Sequence, residues 1–255
     1  MDARTVAKRI AAKVGLLPSL HRAHRLVSPS VRAFRRQRRA QFGQLIKPGD
    51  LVFDVGANLG QTIDVLRDLR TRVVAIEPNP ACRPLLRALY SSDPDVVLVE
   101  AALGGTPGVA WLNAAGTDAV ASLRDDWPGL AFGRGTLERV EVEVTTLDRL
   151  IDRHGAPKLC KVDVEGFETE VFAGLSQSIE TVMFEYHLGE LDRARQCLAK
   201  LATLGAQAVD LVPEDADDFL WGDWPTPEEA SRRLGEPGVP RVGDLFVRTG
   251  PPPGT

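Results

Sequence analysis

Cysteine is scarce in this chain. Three residues, Cys82, Cys160 and Cys197, are spread over 255 positions, and no Cys-x-x-Cys pair occurs. An odd number at wide spacing argues against a disulfide framework and for reduced, structural thiols in a cytoplasmic protein. Long apolar runs are missing as well. No stretch approaches the roughly 18 residues of a membrane span. The basic start lacks a continuous apolar core and a small-residue cleavage site, so no secretory signal is expected. No internal repeat is visible. What remains is a chain with 44 % hydrophobic residues, enough to bury a core, and a length that suits one α/β domain with an appendage.

Charge is unevenly placed. Residues 1–40 hold eleven Lys/Arg against the single acid Asp2, while the rest holds twenty Lys/Arg against 34 acids. A dedicated nucleic-acid binder would carry its basic surface on the main domain, so no nucleic-acid partner is expected. In the basic segment, Val6, Ile10, Val14 and Leu17 form an amphipathic stripe. Residues 1–45 are read as a helical extension that caps the acidic body. The alternative is peripheral membrane contact through the same residues.

From Lys47 the pattern becomes strand, helix, strand, helix, strand: Leu51–Val55, Gln61–Leu69, Arg72–Ile76, Ala81–Tyr90 and Val96–Glu100. Short connections between them mark a doubly wound, mostly parallel sheet. Residues 102–146 break the rhythm and read as a hairpin-like insertion. Further strands are expected at Leu159–Val164, Thr181–Tyr186, Gln207–Val212 and Asp244–Arg248. Helices are expected after Thr146, at Glu168–Leu175, at Asp192–Leu204 and at Pro227–Leu234. The expected organisation is an extension at 1–45, one domain at 46–249 with an acidic, Pro-rich connection at 213–242, and a tail at 250–255.

The chemistry-bearing residues gather at strand ends. Asp54-Val-Gly-Ala-Asn-Leu-Gly60 follows the first strand and opens a helix, where open α/β sheets bind ligands. A dinucleotide fingerprint would need glycine at 56, 58 and 61; Gly, Asn and Gln stand there, which weakens a nicotinamide oxidoreductase and favours a nucleoside without a pyrophosphate. Glu77 ends the second strand, 23 residues after Asp54, where a carboxylate accepts ribose hydroxyls. Lys161, Asp163 and Glu165 recur at period two, as do Glu185 and His187, which predicts that each set shares one side of its strand. Adjacent strands then bring Asp54, Asp163 and Glu185 together. Burial of such charges requires pairing or function. Lys161 either simply neutralises an acid or also serves the site. It opposes a divalent cation at Asp163, Glu165 and Glu185, so no metal is expected.

Three segments, Asp54–Gly60, Glu77-Pro-Asn-Pro80 and Lys161-Val-Asp-Val-Glu-Gly-Phe-Glu168, with the strand end Phe184–His187, resemble the FkbM family of class I methyltransferases. The resemblance covers roughly residues 45–190. It implies a seven-stranded, Rossmann-like sheet in the order 3-2-1-4-5-7-6 with the last strand antiparallel. It implies S-adenosylmethionine as cofactor and transfer to a hydroxyl oxygen of a small-molecule, sugar or lipid-linked acceptor. Donor binding is then expected of Asp54, Gly56, Asn58, Gly60, Glu77, Pro78, Ala101, Asp163 and Glu165. Catalysis is expected of His187 as general base, with Glu185 and Lys161 beside it. Among the other histidines, His21 and His24 fall in the basic arm and His154 in a connecting loop. The competing reading from another class is a non-catalytic nucleoside-binding module on the same fold.

Overall fold

A computed structural model describes residues 28–115, 121–124, 126, 137–214 and 216–250. The stripe Val6–Leu17, His21, His24 and the tail from Pro251 lie outside the described residues. Helix α1 (Pro29–Gly43) leads into β1 (Leu51–Val55), α2 (Gln61–Asp68), β2 (Arg72–Ile76), α3 (Arg83–Tyr90) and β3 (Val96–Val99). The insertion carries β4 (Ala102–Leu103), β5 (Gly108–Ala115), β6 (Ala121–Ser122) and β7 (Leu137–Thr145). Then follow α4 (Leu147–His154), β8 (Leu159–Val162), α5 (Glu168–Ala173), β9 (Thr181–His187), α6 (Leu191–Thr203), β10 (Ala208–Pro213), α7 (Pro227–Arg233) and β11 (Val242–Arg248).

The main sheet has seven strands in the order β10-β11-β9-β8-β1-β2-β3. β1, β2, β3, β8 and β9 pair in parallel, whereas β11 runs antiparallel to both β9 and β10. This is the 3-2-1-4-5-7-6 order, with the last strand reversed. Alternation along each strand builds the two layers. Val52, Val73, Ala75 and Met183 pack with α2, α3 and Phe42 of α1 on one face. Phe53, Val55, Val74, Cys160 and Phe184 pack with α4 to α7 on the other. Both faces of β1 are covered, and all five of its residues are buried, which is why its sequence is an apolar run and not an alternation.

Local chemistry sets the helix starts. Thr146 accepts a hydrogen bond from the Arg149 N–H, and Thr226 accepts one from Glu229 ahead of Pro227. His154 is the last residue of α4 and not part of a loop. The insertion is more than a hairpin. β5 and β7 pair antiparallel from Gly108–Val144 to Ala115–Leu137, β6 pairs with β5, and β4 lies parallel to β7.

The described part of the extension packs on the body. Phe42, Leu45 and Ile46 are buried in the core, each worth about 1.5–3 kcal/mol of burial. Arg35 pairs with Asp68 at 2.6 Å, and Arg38 pairs with Asp244 on β11 at 2.6 Å. No described helix is long and apolar enough to cross a membrane.

Candidate active site

At the carboxyl end of β1 the chain must turn before α2, and the turn is tied to β2: the Gly56 and Ala57 N–H groups both donate to the Ile76 carbonyl at 3.0 Å. Gly56 sits at φ +77°, and a Cβ there would lie 1.8 Å from the Asp163 carbonyl oxygen. Only glycine fits between the two turns. Asn58 follows at φ +51°. Its N–H donates to Glu77 Oε2 at 2.7 Å, and the Asn79 N–H donates to Glu77 Oε1 at 2.7 Å. Glu77 is buried at the end of β2. Burial raises its proton affinity, while the two backbone N–H groups pull it back down.

These turns border a cleft that opens to solvent. Seven of the nine expected donor contacts line it: Gly56, Asn58, Glu77, Pro78, Ala101, Asp163 and Glu165. Asp54 and Gly60 do not. The Asp54 side chain is fully buried against Lys161 behind the turn. Gly60 faces α3 instead, where Tyr90 donates to its carbonyl at 2.7 Å and leaves no room for a Cβ. The sequence reading missed the apolar wall of Val55, Ile76, Leu103, Leu112, Val164 and Phe167, and the roof of Ala121, Ser122 and Leu123. The Val140–Val144 alternation announced a sheet there, but not which way it would fold.

Lys161 links the rows. Its ammonium lies 3.2 Å from Asp54 Oδ1 and 3.3 Å from Asp163 Oδ2. It donates to the Gly56 carbonyl at 2.9 Å and to the Val55 carbonyl at 3.3 Å. Burial alone would push its proton off, but Asp163 and Asp54 outweigh burial and keep it charged. Lys161 therefore pairs with both acids and also bonds to the Gly56 turn.

Two details of the row differ from the sequence reading. β8 ends at Val162, so Glu165 does not continue the period-two side of Lys161 and Asp163. Glu165 lies in a turn at φ +54°, just before Gly166 at φ +88°. Glu185 does not join Asp54 and Asp163 at Lys161 either. It stands opposite Asp244 in the β9–β11 register and accepts from His187 Nε2 at 2.9 Å. Glu185 and His187 do share a strand side. Hydrogen bonding to Glu185 raises the His187 pKa above its ordinary value against the effect of burial. His187 and Glu185 line a second, smaller cavity of about 280 Å³ with Gly166, Glu168, Glu190 and Arg193. The turn at 163–166 lies between the two cavities: Asp163, Val164 and Glu165 line the first and Gly166 the second. Among the described residues, no group of three or more His, Cys, Asp or Glu side chains is placed to hold a metal ion.

Residues 54–211, more than half of the chain, match the family described as the methyltransferase FkbM domain. The chain belongs to the FkbM methyltransferase family. Solved structures similar to it include a precorrin-6y C5,15-methyltransferase from Geobacter metallireducens, at 13 % identity and TM-score 0.42, covering 87 % of this chain and 90 % of that one. Fibrillarin from Aeropyrum pernix, with natively bound S-adenosyl-L-methionine, is similar at 11 % identity and TM-score 0.43, over 82 % and 72 % of the two chains. A SAM-dependent O-methyltransferase from Thermotoga maritima is similar at 11 % identity and TM-score 0.41, over 84 % and 65 %. Among curated proteins none matches. The cofactor of this FkbM methyltransferase is S-adenosylmethionine. The cleft suits it, with a buried carboxylate at the end of β2, a glycine turn packed against the Asp163 carbonyl, and an apolar wall.

Proposed function

We propose that this FkbM methyltransferase is an O-methyltransferase acting on a hydroxyl of a sugar, glycolipid or natural-product acceptor, in the cytoplasm and without a nucleic-acid partner. When bound, S-adenosylmethionine supplies a methyl group already activated on a sulfonium. Glu77 accepts the ribose hydroxyls. The Gly56–Asn58 turn, Pro78 and Ala101 shape the rest of the donor site, and Asp163 and Glu165 orient polar groups at its mouth. Lys161 holds the Gly56 turn and Asp163 in place. Asp54 and Gly60 support the turn from behind.

An alcohol attacks poorly while protonated, so removal of its proton as the bond forms contributes about 10²–10⁴-fold. His187 takes that proton, and Glu185 stabilises the imidazolium. The observation that carries this reading is the 2.9 Å His187–Glu185 hydrogen bond at the carboxyl end of β9, beside the turn that walls the donor cleft. The experiment is an acceptor screen with labelled donor, repeated with His187→Gln. The expected result is incorporation into a hydroxyl compound, lowered about 100-fold by the substitution with donor affinity unchanged. Full turnover in His187→Gln would mean that another residue is the base or that none is needed, with Asp163 and Glu165, which line the donor cleft itself, the next to test. Absence of incorporation into any acceptor, with donor bound, would favour a binding module instead.

A further inference from the structure

Ala121, Ser122 and Leu123 of the insertion line the donor cleft. β6 ends at Ser122, a side chain only 1 % exposed, and its hydroxyl donates to the Glu165 carbonyl at 2.8 Å. The Arg124 N–H donates back to Ser122 Oγ at 3.1 Å. The Arg124 guanidinium reaches over the same turn, with Nη1 3.4 Å from the Gly166 carbonyl and 2.6 Å from Glu190 Oε2. Asn113 of β5 donates to the Arg124 carbonyl at 3.3 Å, which ties this short strap to the insertion sheet.

The turn they grip is strained. Glu165 adopts φ +54° without being glycine, a conformation that persists only where the surroundings over-determine it. From below, Glu168 Oε1 accepts from the Val164 and Gly166 N–H groups at 3.3 and 3.2 Å. From above, the strap bonds to the carbonyls of Glu165 and Gly166. The same turn forms one wall of the donor cleft and packs against Gly56 through the Asp163 carbonyl.

We propose that Ser122 and Arg124 are positioning residues for S-adenosylmethionine: the insertion holds the Glu165–Gly166 turn in the shape that binds the donor. This rests on the donor reading of the cleft. It gives the insertion a part in cofactor binding, with neither side chain acting on the transferred methyl.

The test uses the full chain, S-adenosylhomocysteine as calorimetric probe, and amide exchange over residues 163–168 without ligand. Ser122→Ala should weaken probe binding by roughly five- to tenfold, the equivalent of one hydrogen bond, and speed exchange of the turn. Ser122→Thr, which keeps the hydroxyl, should restore both. Arg124→Met should behave like Ser122→Ala. A purely structural role would lower the melting temperature of these variants while leaving probe affinity intact, and that result overturns the proposal. Should Ser122→Ala fold poorly, Ser122→Cys preserves the volume and weakens the same bond, with the same expectation. Failure of the unmodified chain to bind the probe would overturn the donor reading and this inference together. Binding by the unmodified chain with unchanged affinity in every variant would overturn this inference alone.

Discussion

Gly56→Ala probes the junction of the two turns. At φ +77° the new side chain enters the left-handed region, at a cost of about 1–2 kcal/mol. Its Cβ would meet the Asp163 carbonyl oxygen at 1.8 Å and the carbonyl carbon at 2.9 Å. Both are backbone atoms and cannot swing aside. The Gly56 and Asp163 turns must separate by more than an ångström, and overpacking of this kind costs a further ~1–3 kcal/mol. Together the destabilisation is roughly 2–5 kcal/mol, which for a chain of this size is a drop in melting temperature of about 4–20 °C. The two turns are also adjoining walls of the donor cleft, and Lys161 bonds to both. Binding of S-adenosylhomocysteine should therefore fall at least about tenfold, because a displacement near 1 Å undoes the fit of the site. Scanning calorimetry and titration calorimetry on the same preparation give both numbers. A Gly56→Ala chain with unchanged melting temperature and unchanged affinity would refute the close approach and the shared wall at once.

Glu77→Gln offers one acceptor oxygen to two backbone N–H groups, so it should weaken S-adenosylhomocysteine by roughly 10–100-fold, the ~1.5–3 kcal/mol of a charged hydrogen bond; equal affinity in calorimetry would remove Glu77 from the donor site. The His187 pKa is raised by Glu185, so the rate should fall, as pH is lowered, at a value above the ordinary 6.5 of imidazole. In Glu185→Gln that limb should move down, and an unmoved pH–rate profile would disconnect the pair from the reaction. Burial lifts Glu168 from 4.5 to about 7, so the folded chain keeps a proton that the unfolded chain has released; stability from this group is full below 4.5 and is lost as pH rises through 7. Urea titrations should show that decline, on the order of 3 kcal/mol, and Glu168→Gln should abolish it. Arg38→Met leaves Asp244 buried without its cation and should cost about 3–5 kcal/mol, largely recovered in Arg38→Met/Asp244→Asn; equal denaturation midpoints for single and double variants would contradict the pairing.

How much was legible in the sequence depends on whether a signal is local. β1 and β2 read directly because both faces are buried, leaving uninterrupted apolar runs that end at the site. The Gly56 turn and Glu77 were legible for the same reason: a strand end is a place in the sequence as well as in space. Side-chain direction was not. Asp54 belongs to the motif, yet its position on β1 points it at Lys161 and not into the cleft. Period-two reasoning placed Glu165 beside Asp163, but it assumes a strand, and β8 stops at Val162. Gly166 carried the warning, because a glycine beyond an apolar run more often marks a turn than a continuation. Ser122 gave no signal at all. A lone serine in a Gly- and Asp-rich stretch becomes informative only once β6 is folded 43 positions away onto Glu165.

The basic extension shows how a charge run can divide its labour within one helix. Val31, Gln41 and Phe42 of α1 are buried, while Arg32, Arg36 and Arg39 are exposed. Steps of four and three place those three arginines on the outer face. Arg35 and Arg38 lie toward the body and are committed to Asp68 and Asp244. The Arg38–Asp244 pair is the more consequential, since Asp244 is deeply buried among like charges, with Asp163 and Glu185 adding to the effect of burial and Arg38 opposing it. Without that cation, three carboxylates of neighbouring strands would face one another across the carboxyl edge of the sheet. Lys161 neutralises the β1–β8 half of that edge and Arg38 the β9–β11 half. Buried ion pairs contribute little net stability but penalise any arrangement that leaves one partner alone. Arg38 thus fixes where α1 docks, and it brings the extension into the electrostatics of the edge that carries His187. The expected cap is, along the inner face of α1, packed against the carboxyl edge of the sheet through Arg38 and Asp244.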